Sequence, residues 1–516
     1  MLLWVSCEED FEELNTNPFQ PTQVEIGPLF NSVIESMTLG WSEQLYLHNE
    51  ILYKITQQAA LTAPTFQNVS VGTEEVWNRY YLALADIRDI QNKLDNFEGE
   101  QETMNNVRAM LKTALAYKTF RLIDLFGGIP FFDAGKGFEG LEFIRPAFDS
   151  QESIYKFLLE DLQWVNENAD VFPNPMTESE EPYVDISSFD KLFDGDMLMW
   201  VKFANSLRLR HAVRMYEKDP NFASAVIADV LENQFPLVEV GEDVGMWPSR
   251  IGWLNEGLNW SFREHNKIRM GSNIWNLMSE HDSTDGSGIF DKRVKVFFET
   301  NNADEWVPFP QIPDANTPPS GGTPYQQVRD ANFGVKGSKC IFSPVHYYMA
   351  RDESYLPELF LTASEVKFLK AEIYLRGMGV AVDESLAKTS YKAGVTNSIK
   401  FWHNLVANTP SWTNAVPSIA VNEEFSIYNH PNIIWTDGAD YLNLIYTQRW
   451  IDAFRQPWEA YSLGRRTSAT PIEGERSQHY RFVYPPSEVE NNPDNWAAHA
   501  GTIGGDVVTN KVWWMP

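Results

Sequence analysis

Between residues 105 and 126, apolar side chains fall at Val107, Met110, Leu111, Ala114, Leu115, Leu122, Leu125 and Phe126. Spacing of three and four residues puts them on one stripe of an α-helix, which must find a partner surface to cover it. The stripe stops at "GGIP", with Gly127 and Gly128 in the C-terminal position and Pro130 just beyond. The segment "LTASEVKFLKAEIYLRG" at 361–377 repeats the logic. Thr362 and Glu365 have capping-box spacing, the seam runs Ala363, Val366, Leu369, Ile373, and Gly377 closes the helix. Further helices are expected near 26–62, 73–95, 151–168, 189–217, 221–233, 383–405 and 438–460. Ala371 and Tyr374, then Ala387, Tyr391 and Gly394, match the inner positions of a tetratricopeptide-like helix pair. The turn between them exceeds what the standard unit of about 34 residues allows, so the repeat is degenerate. The expectation is a mostly α fold: tetratricopeptide-like helix pairs in an α-α superhelix, carrying long irregular loops.

The stretch from about 236 to 357 loses the helical period. It contains "GMWPSRIGWLNEGLNWSFREHNK" and "NADEWVPFPQIPDANTPPSGGTPY", rich in Pro, Gly and Asn. A loop of that length is usually functional. The chain has 18 Trp, 20 Tyr and 32 Phe, and most must be core because large rings gain most from burial. Trp77, Trp200, Phe203 and Trp450 lie on helical seams and read as structural. Indoles in a loop have fewer neighbours to bury them. Flat aromatic faces beside Asn or Arg suit a ligand with apolar C–H faces and rim hydroxyls, which describes a sugar. The candidate ligand residues are therefore Trp247, Trp253, Asn255, Asn259, Trp260, Arg263, Trp306 and Tyr325. The competing reading packs these rings against the helices. The segment from about 465 to 516 is again loop-rich.

Charge and motifs narrow the chemistry. With 41 basic and 71 acidic residues the net charge is −30, a field that repels phosphate backbones, so nucleic acid is not an expected partner. No run approaches the roughly 20 apolar residues of a membrane span. GxSxG, HExxH, a phosphate-cradling loop and a dinucleotide fingerprint are all missing from the sequence. Ser364–Lys367 matches S-x-x-K without its partner motifs, and "DSTDGSGIFD" at 282–291 fails calcium-loop spacing and reads as a turn. The two cysteines, Cys7 and Cys340, form no CxxC or Cys/His cluster. No metal or cofactor is expected. A glycosidase would need a carboxylate pair about 5 or about 6.5–9.5 Å apart, which sequence cannot pick out.

The opening "MLLWVSCEEDFEELNTNP" sets a short apolar stub and Ser6 before Cys7, then Glu8, Glu9, Asp10, Glu12 and Glu13. It fits the tail of a secretory signal, and "LWVSC" resembles a bacterial lipobox with Trp4 in place of the usual Leu. On this stretch alone a frayed terminus with a chance cysteine fits equally well.

Several stretches together resemble the SusD/RagB family of Bacteroidetes outer-membrane lipoproteins, in its SusD-like branch. They are "DLFGGIPFFDA" at 124–134, "ANSLRLRHAVRM" at 204–215, "LTASEVKFLKAEIYLRG" at 361–377, "IYTQRWIDAFRQPWEAYSLGRRT" at 445–467, "RFVYPPSEVENNPDNW" at 481–496 and the closing "NKVWW". "NTNPFQPT" at 15–22 resembles the family's segment after the lipid cysteine. The resemblance implies a helical fold with loop-borne ligand surface and an anchor acylated at Cys7. It also implies oligosaccharide capture over a SusC-like TonB-dependent transporter at the cell surface. Residues 1–22 would then be signal remnant, anchor and acidic tether, and 23–516 one SusD-like domain. The family's ligand residues form no motif, so the candidates above rest on loop chemistry alone. The competing classes are a helical-repeat scaffold binding peptide or protein, and an all-α glycoside hydrolase.

Overall fold

The computed structural model describes residues 25–62, 68–171, 186–251, 267–319, 340–346, 356–408 and 422–516. The longer α-helices among them are α1 (Ile26–Ser36), α2 (Val69–Asp95), α3 (Asn105–Phe126), α4 (Gln151–Asn168), α5 (Met197–Met215), α6 (Pro220–Glu232), α7 (Ala363–Arg376), α8 (Glu384–Ala407), α9 (Tyr441–Asp452), α10 (Pro457–Thr467) and α11 (Pro493–Thr502). Consecutive helices pack as neighbours from α1 through α6, while α7 pairs with α8 and also meets α5 and α9. Strands are short: β1 (Ala60–Leu61) pairs antiparallel with β3 (Ile268–Arg269), and β2 (Val244–Met246) with β4 (Glu358–Leu361). The fold is mostly α, built of helix pairs as the periodicity implies.

Two hydrophobic cores form, and α7 lies between them. Its expected seam, Ala363, Val366, Leu369 and Ile373, faces the first core, with α1–α6. Phe368 and Ala371 on its other side enter the second, with α8 and α9. The closest approach of α7 and α8 is at Gly394, where a Cβ would lie 2.7 Å from the buried ring of Phe368. Gly394→Val is expected to lower stability by about 1–3 kcal/mol, because that ring has no free volume to move into. The check is urea unfolding, read as a lower midpoint at unchanged slope.

Sequence and structure part in four places. The helix expected over 438–460 is two, α9 and α10, separated by a short 3-10 turn at Ala453–Arg455. The helix expected over 26–62 breaks after Ser36. At Gly40 the backbone passes so close to Glu75 that a Cβ would lie 2.3 Å from its carboxyl carbon. The chain then resumes as a π-helix, Glu43–Leu52, almost wholly buried despite carrying Glu43, Gln44, His48, Asn49 and Glu50. The helix expected to begin at 189 begins at Met197, where the Asp196 carboxylate caps it by accepting the Met199 N–H at 3.1 Å. Most notably, 236–357 is in part core: Ile268, Met270, Ile274, Trp275, Phe297 and Phe298 build the second cluster with the helices.

A buried ionic network joins the helices. The Arg210 Nε donates to Glu365 at 2.9 Å, and Arg449 reaches the same carboxylate at 2.7 Å. Glu459 is shared by Arg210 (3.5 Å) and Arg214, and Arg214 also pairs with Asp124. Trp514 Nε1 donates to Asp124 at 2.7 Å. Arg466 grips Glu372 with two bonds, at 2.7 and 2.6 Å, and Arg376 and the Tyr446 hydroxyl add to it. Glu365 thereby completes only half of the expected capping box. Its N–H is bound by Thr362 Oγ1 at 3.0 Å, but its carboxylate turns to the two arginines. Five of the recurring stretches, "DLFGG", "LRLRHAVRM", "LTASEVKFLKAE", "QRWIDAFRQPWEAYSLGRR" and "NKVWW", meet in this network, which explains their specificity as one of fold.

Candidate ligand-binding face

Of the eight expected ligand residues, Trp247 and Trp306 fall among the described residues. Trp247 immediately follows β2; it is half-buried against the second core, and its carbonyl accepts the Arg250 N–H at 2.8 Å in a turn. Trp253, Asn255, Asn259, Trp260, Arg263 and Tyr325 lie outside the described residues. The flanking positions are described. Ile251 is buried in the first core, and Lys267 bonds Glu50 at 3.3 Å before the chain enters β3 in the second.

That entry point is shared. The Thr62 N–H donates to the Lys267 carbonyl at 2.9 Å, extending the β1–β3 ladder. Arg269 forms a further bridge to Pro344, Gly271 to Phe309, and Phe298 to Val345. The Asn302 N–H reaches the Cys340 carbonyl at 3.2 Å, and His346 N donates to Phe297. Residues 62, 267, 340 and 346 are thus points of one irregular extended patch, and each borders a segment outside the described residues. The sequence gives no hint of this convergence, because bridges between isolated residues leave no period.

Trp306 takes the packing alternative. It is 8% exposed, stacks on Trp275 with centroids 6.2 Å apart and planes at 15°, and its backbone N–H donates to the Thr284 carbonyl at 2.7 Å. Its indole face is spent on a neighbouring indole. Cys340 is likewise buried, with its thiol bonded to the Phe342 carbonyl at 3.0 Å, and burial pushes its pKa up. Cys7 lies outside the described residues.

Beneath the patch sits the polar π-helix. A π stretch is rare and concentrates at functional sites. His48 lies against Trp458 with centroids 4.6 Å apart and planes tilted by 31°, Arg121 covers the same indole at 4.8 Å, and burial together with Arg121 and Arg455 holds the imidazole far below its usual pKa. A buried imidazole held neutral in this way packs rather than carrying protons.

Two carboxyls have the raised pKa that acid catalysis requires. Burial pushes Glu358 up to about 7 against the opposing pull of Arg121, and burial does the same to Asp243. Each has an oxygen committed to backbone: Glu358 accepts the Leu39 N–H at 2.7 Å, with its other oxygen accepting from the Gln44 amide at 3.5 Å, and Asp243 accepts the Ala363 N–H at 2.9 Å. Neither lines the cleft beside the "GGIP" turn or the pockets at Arg121, Tyr461 and Phe143. Among the described residues there is also no cluster of three or more His, Cys, Asp or Glu placed to hold a metal ion, and no helix long and apolar enough to cross a membrane.

Comparison with known proteins matches this architecture. A family model described as "SusD-like_2: Starch-binding associating with outer membrane" covers residues 18–485. Among solved structures, a chitin-binding protein superposes with a TM-score of 0.72 at 21% identity, covering 95% of this chain and all of that one. A SusD homolog from Parabacteroides distasonis gives 0.68 at 20%, covering 95% and 98%. A chitin-binding SusD homolog from Flavobacterium johnsoniae gives 0.65 at 20%, with the same coverage. No curated protein matches the sequence. At these identities the structures establish the fold, and the family match over nearly the whole length establishes kinship: this chain belongs to the SusD-like family of starch-binding proteins that associate with the outer membrane.

Proposed function

We propose that this protein is a cell-surface lipoprotein, acylated at Cys7, that captures an oligosaccharide without cleaving it. It would pass the glycan to a SusC-like TonB-dependent transporter in the outer membrane. The observation that supports this reading is that Lys267 and Cys340, each of which ends a segment carrying candidate ligand residues, meet in one extended patch. Stacking faces from Trp253 and Trp260 with hydrogen-bonding rims from Asn255, Asn259 and Arg263 would suit a sugar. The family's starch-binding description and the two chitin-binding structural relatives point to a glycan of linked glucose-type rings. Each contact is modest, so selectivity would come from the curvature of the face and from avidity with the transporter.

Trp253→Ala and Trp260→Ala are each expected to weaken glycan binding at least about tenfold, the effect of losing roughly 1.4 kcal/mol of aromatic contact. Trp306→Phe should leave affinity unchanged, because its indole is stacked in the core. Isothermal titration with maltooligosaccharides and chitooligosaccharides reads both. Full affinity in the Trp253 and Trp260 variants would move the site off this face.

A further inference from the structure

A further cavity is lined by none of the residues of that patch. It is a cleft of about 520 Å³ between the "GGIP" turn, the start of α4, helix α11 and the tail at 511–513. Its size falls in the range of small-molecule sites. Phe148 and half-buried Trp513 line it. Phe148 stacks on the His499 ring at 4.7 Å and 14°.

The polar groups of the cleft are only partly used. Arg481 lines it and is 1% exposed; its Nε donates to the Phe126 carbonyl at 3.0 Å. Its Nη1 stands 3.1 Å from the Asp506 carboxylate, yet neither terminal nitrogen makes a hydrogen bond among the described residues. Buried donors left unmade cost free energy, so a partner for them is stabilising. Acceptors are open too. Asn495 donates both amide hydrogens, to the Arg145 carbonyl at 3.0 Å and to Asn492 Oδ1 at 2.9 Å, leaving its own oxygen unfilled. The Tyr484 hydroxyl donates to the Gly128 carbonyl, so it accepts from His499 Nε2 at 3.0 Å. Burial lowers the His499 pKa to about 4, which leaves the ring neutral and its Nδ1 an acceptor.

This pattern selects the ligand. An anion would match the donors and leave the acceptors bare; the Arg481 and Glu152 charges are already met by Asp506 and Lys156, and the lining Lys511 ammonium donates to the Pro516 oxygen at 2.5 Å. An apolar ligand would satisfy neither set. Hydroxyl groups donate and accept at once, and a pyranose ring presents C–H faces to Phe148 and Trp513. We propose that this cleft is a second saccharide site, taking one or two neutral sugar rings, separate from the loop-bearing face and independent of what that face binds.

The test is saturation-transfer NMR on the full chain. The probes are methyl α-glucoside, maltose and N-acetylglucosamine, with glucuronate and inorganic sulfate as anionic comparators. Ala498 and Thr502 are exposed residues of α11 that line the cleft and take part in no ionic contact, so Ala498→Trp and Thr502→Trp fill it from the solvent side. Transfer to at least one neutral sugar, cut more than tenfold in whichever of these variants keeps the wild-type melting temperature and retained in Trp247→Ala, is the expected result. Transfer unaffected by filling the cleft, transfer to the anions alone, or no transfer to any neutral sugar would overturn the proposal.

Discussion

Glu459→Gln is expected to cost about 3–5 kcal/mol of folding stability, the range for removing one partner of a buried ion pair. The carboxylate sits between Arg210, Arg214 and Arg449, and all four side chains are buried. Burial raises the carboxyl's pKa, but the three guanidinium groups outweigh burial and hold it below the usual range. A glutamine keeps the shape and loses the charge, leaving cations in the core with less to balance them. For a chain of ordinary stability this is a large fraction of the total. Urea denaturation measures it. A loss under 1 kcal/mol would show that the network is dispensable packing.

The second large effect concerns acid. Glu372 is fully buried; burial alone would raise its pKa, but Arg466, Arg376 and Arg449 drive it down to about 2. A carboxyl whose folded pKa lies below its unfolded value contributes stability that is complete above the unfolded pKa, near 4.5. That contribution is lost as pH falls from there towards 2. A shift of this size corresponds to about 3 kcal/mol. Glu372→Gln should therefore lower stability by about that amount at pH 7. The gap from wild type should shrink steadily below pH 4.5 and close near pH 2. Melting temperatures across pH 2–7 test it, and a gap that stays constant with pH would place the loss in packing instead.

How much of this was legible in the sequence follows from which interactions are local. The helix over 105–126, the cap at Thr362 and the stop at Gly377 (φ 68°) all depend on neighbours within a few residues, and all formed as read. The seam Ala363, Val366, Leu369, Ile373 was visible, but the second buried face of the same helix was not. Phe368 and Ala371 find their partners on α8, and only the assembled fold brings those there. Arg210, Arg214, Glu365 and Glu459 read as ordinary helix charges. Apart from the Arg449–Glu459 contact, their partners lie from 84 to 249 residues away, a distance no spacing rule spans.

The candidate ligand residues were chosen by chemistry and not by place. Loop composition marked out the aromatic residues between 247 and 325, but could not separate Trp306, stacked in the core, from rings on a surface. The junction of β1, β3 and the isolated bridges is likewise non-local. The cleft beside "GGIP" was missed because its lining comes from separate parts of the chain, one of them a tail that reads only as loop-rich. Arg481, Asn495, His499 and Trp513 belong to that tail, and what makes them a candidate site is unfilled hydrogen-bonding capacity, which only coordinates reveal.

The central claim is capture of a glycan without turnover. Its most direct test incubates the protein with a panel of starch- and chitin-derived oligosaccharides, recording binding and analysing the sugars afterwards by chromatography. The account predicts saturable binding of at least one glycan, with every chain recovered at its original length. Shorter products would contradict it and return attention to a carboxylate pair, and failure to bind any glycan would contradict it equally.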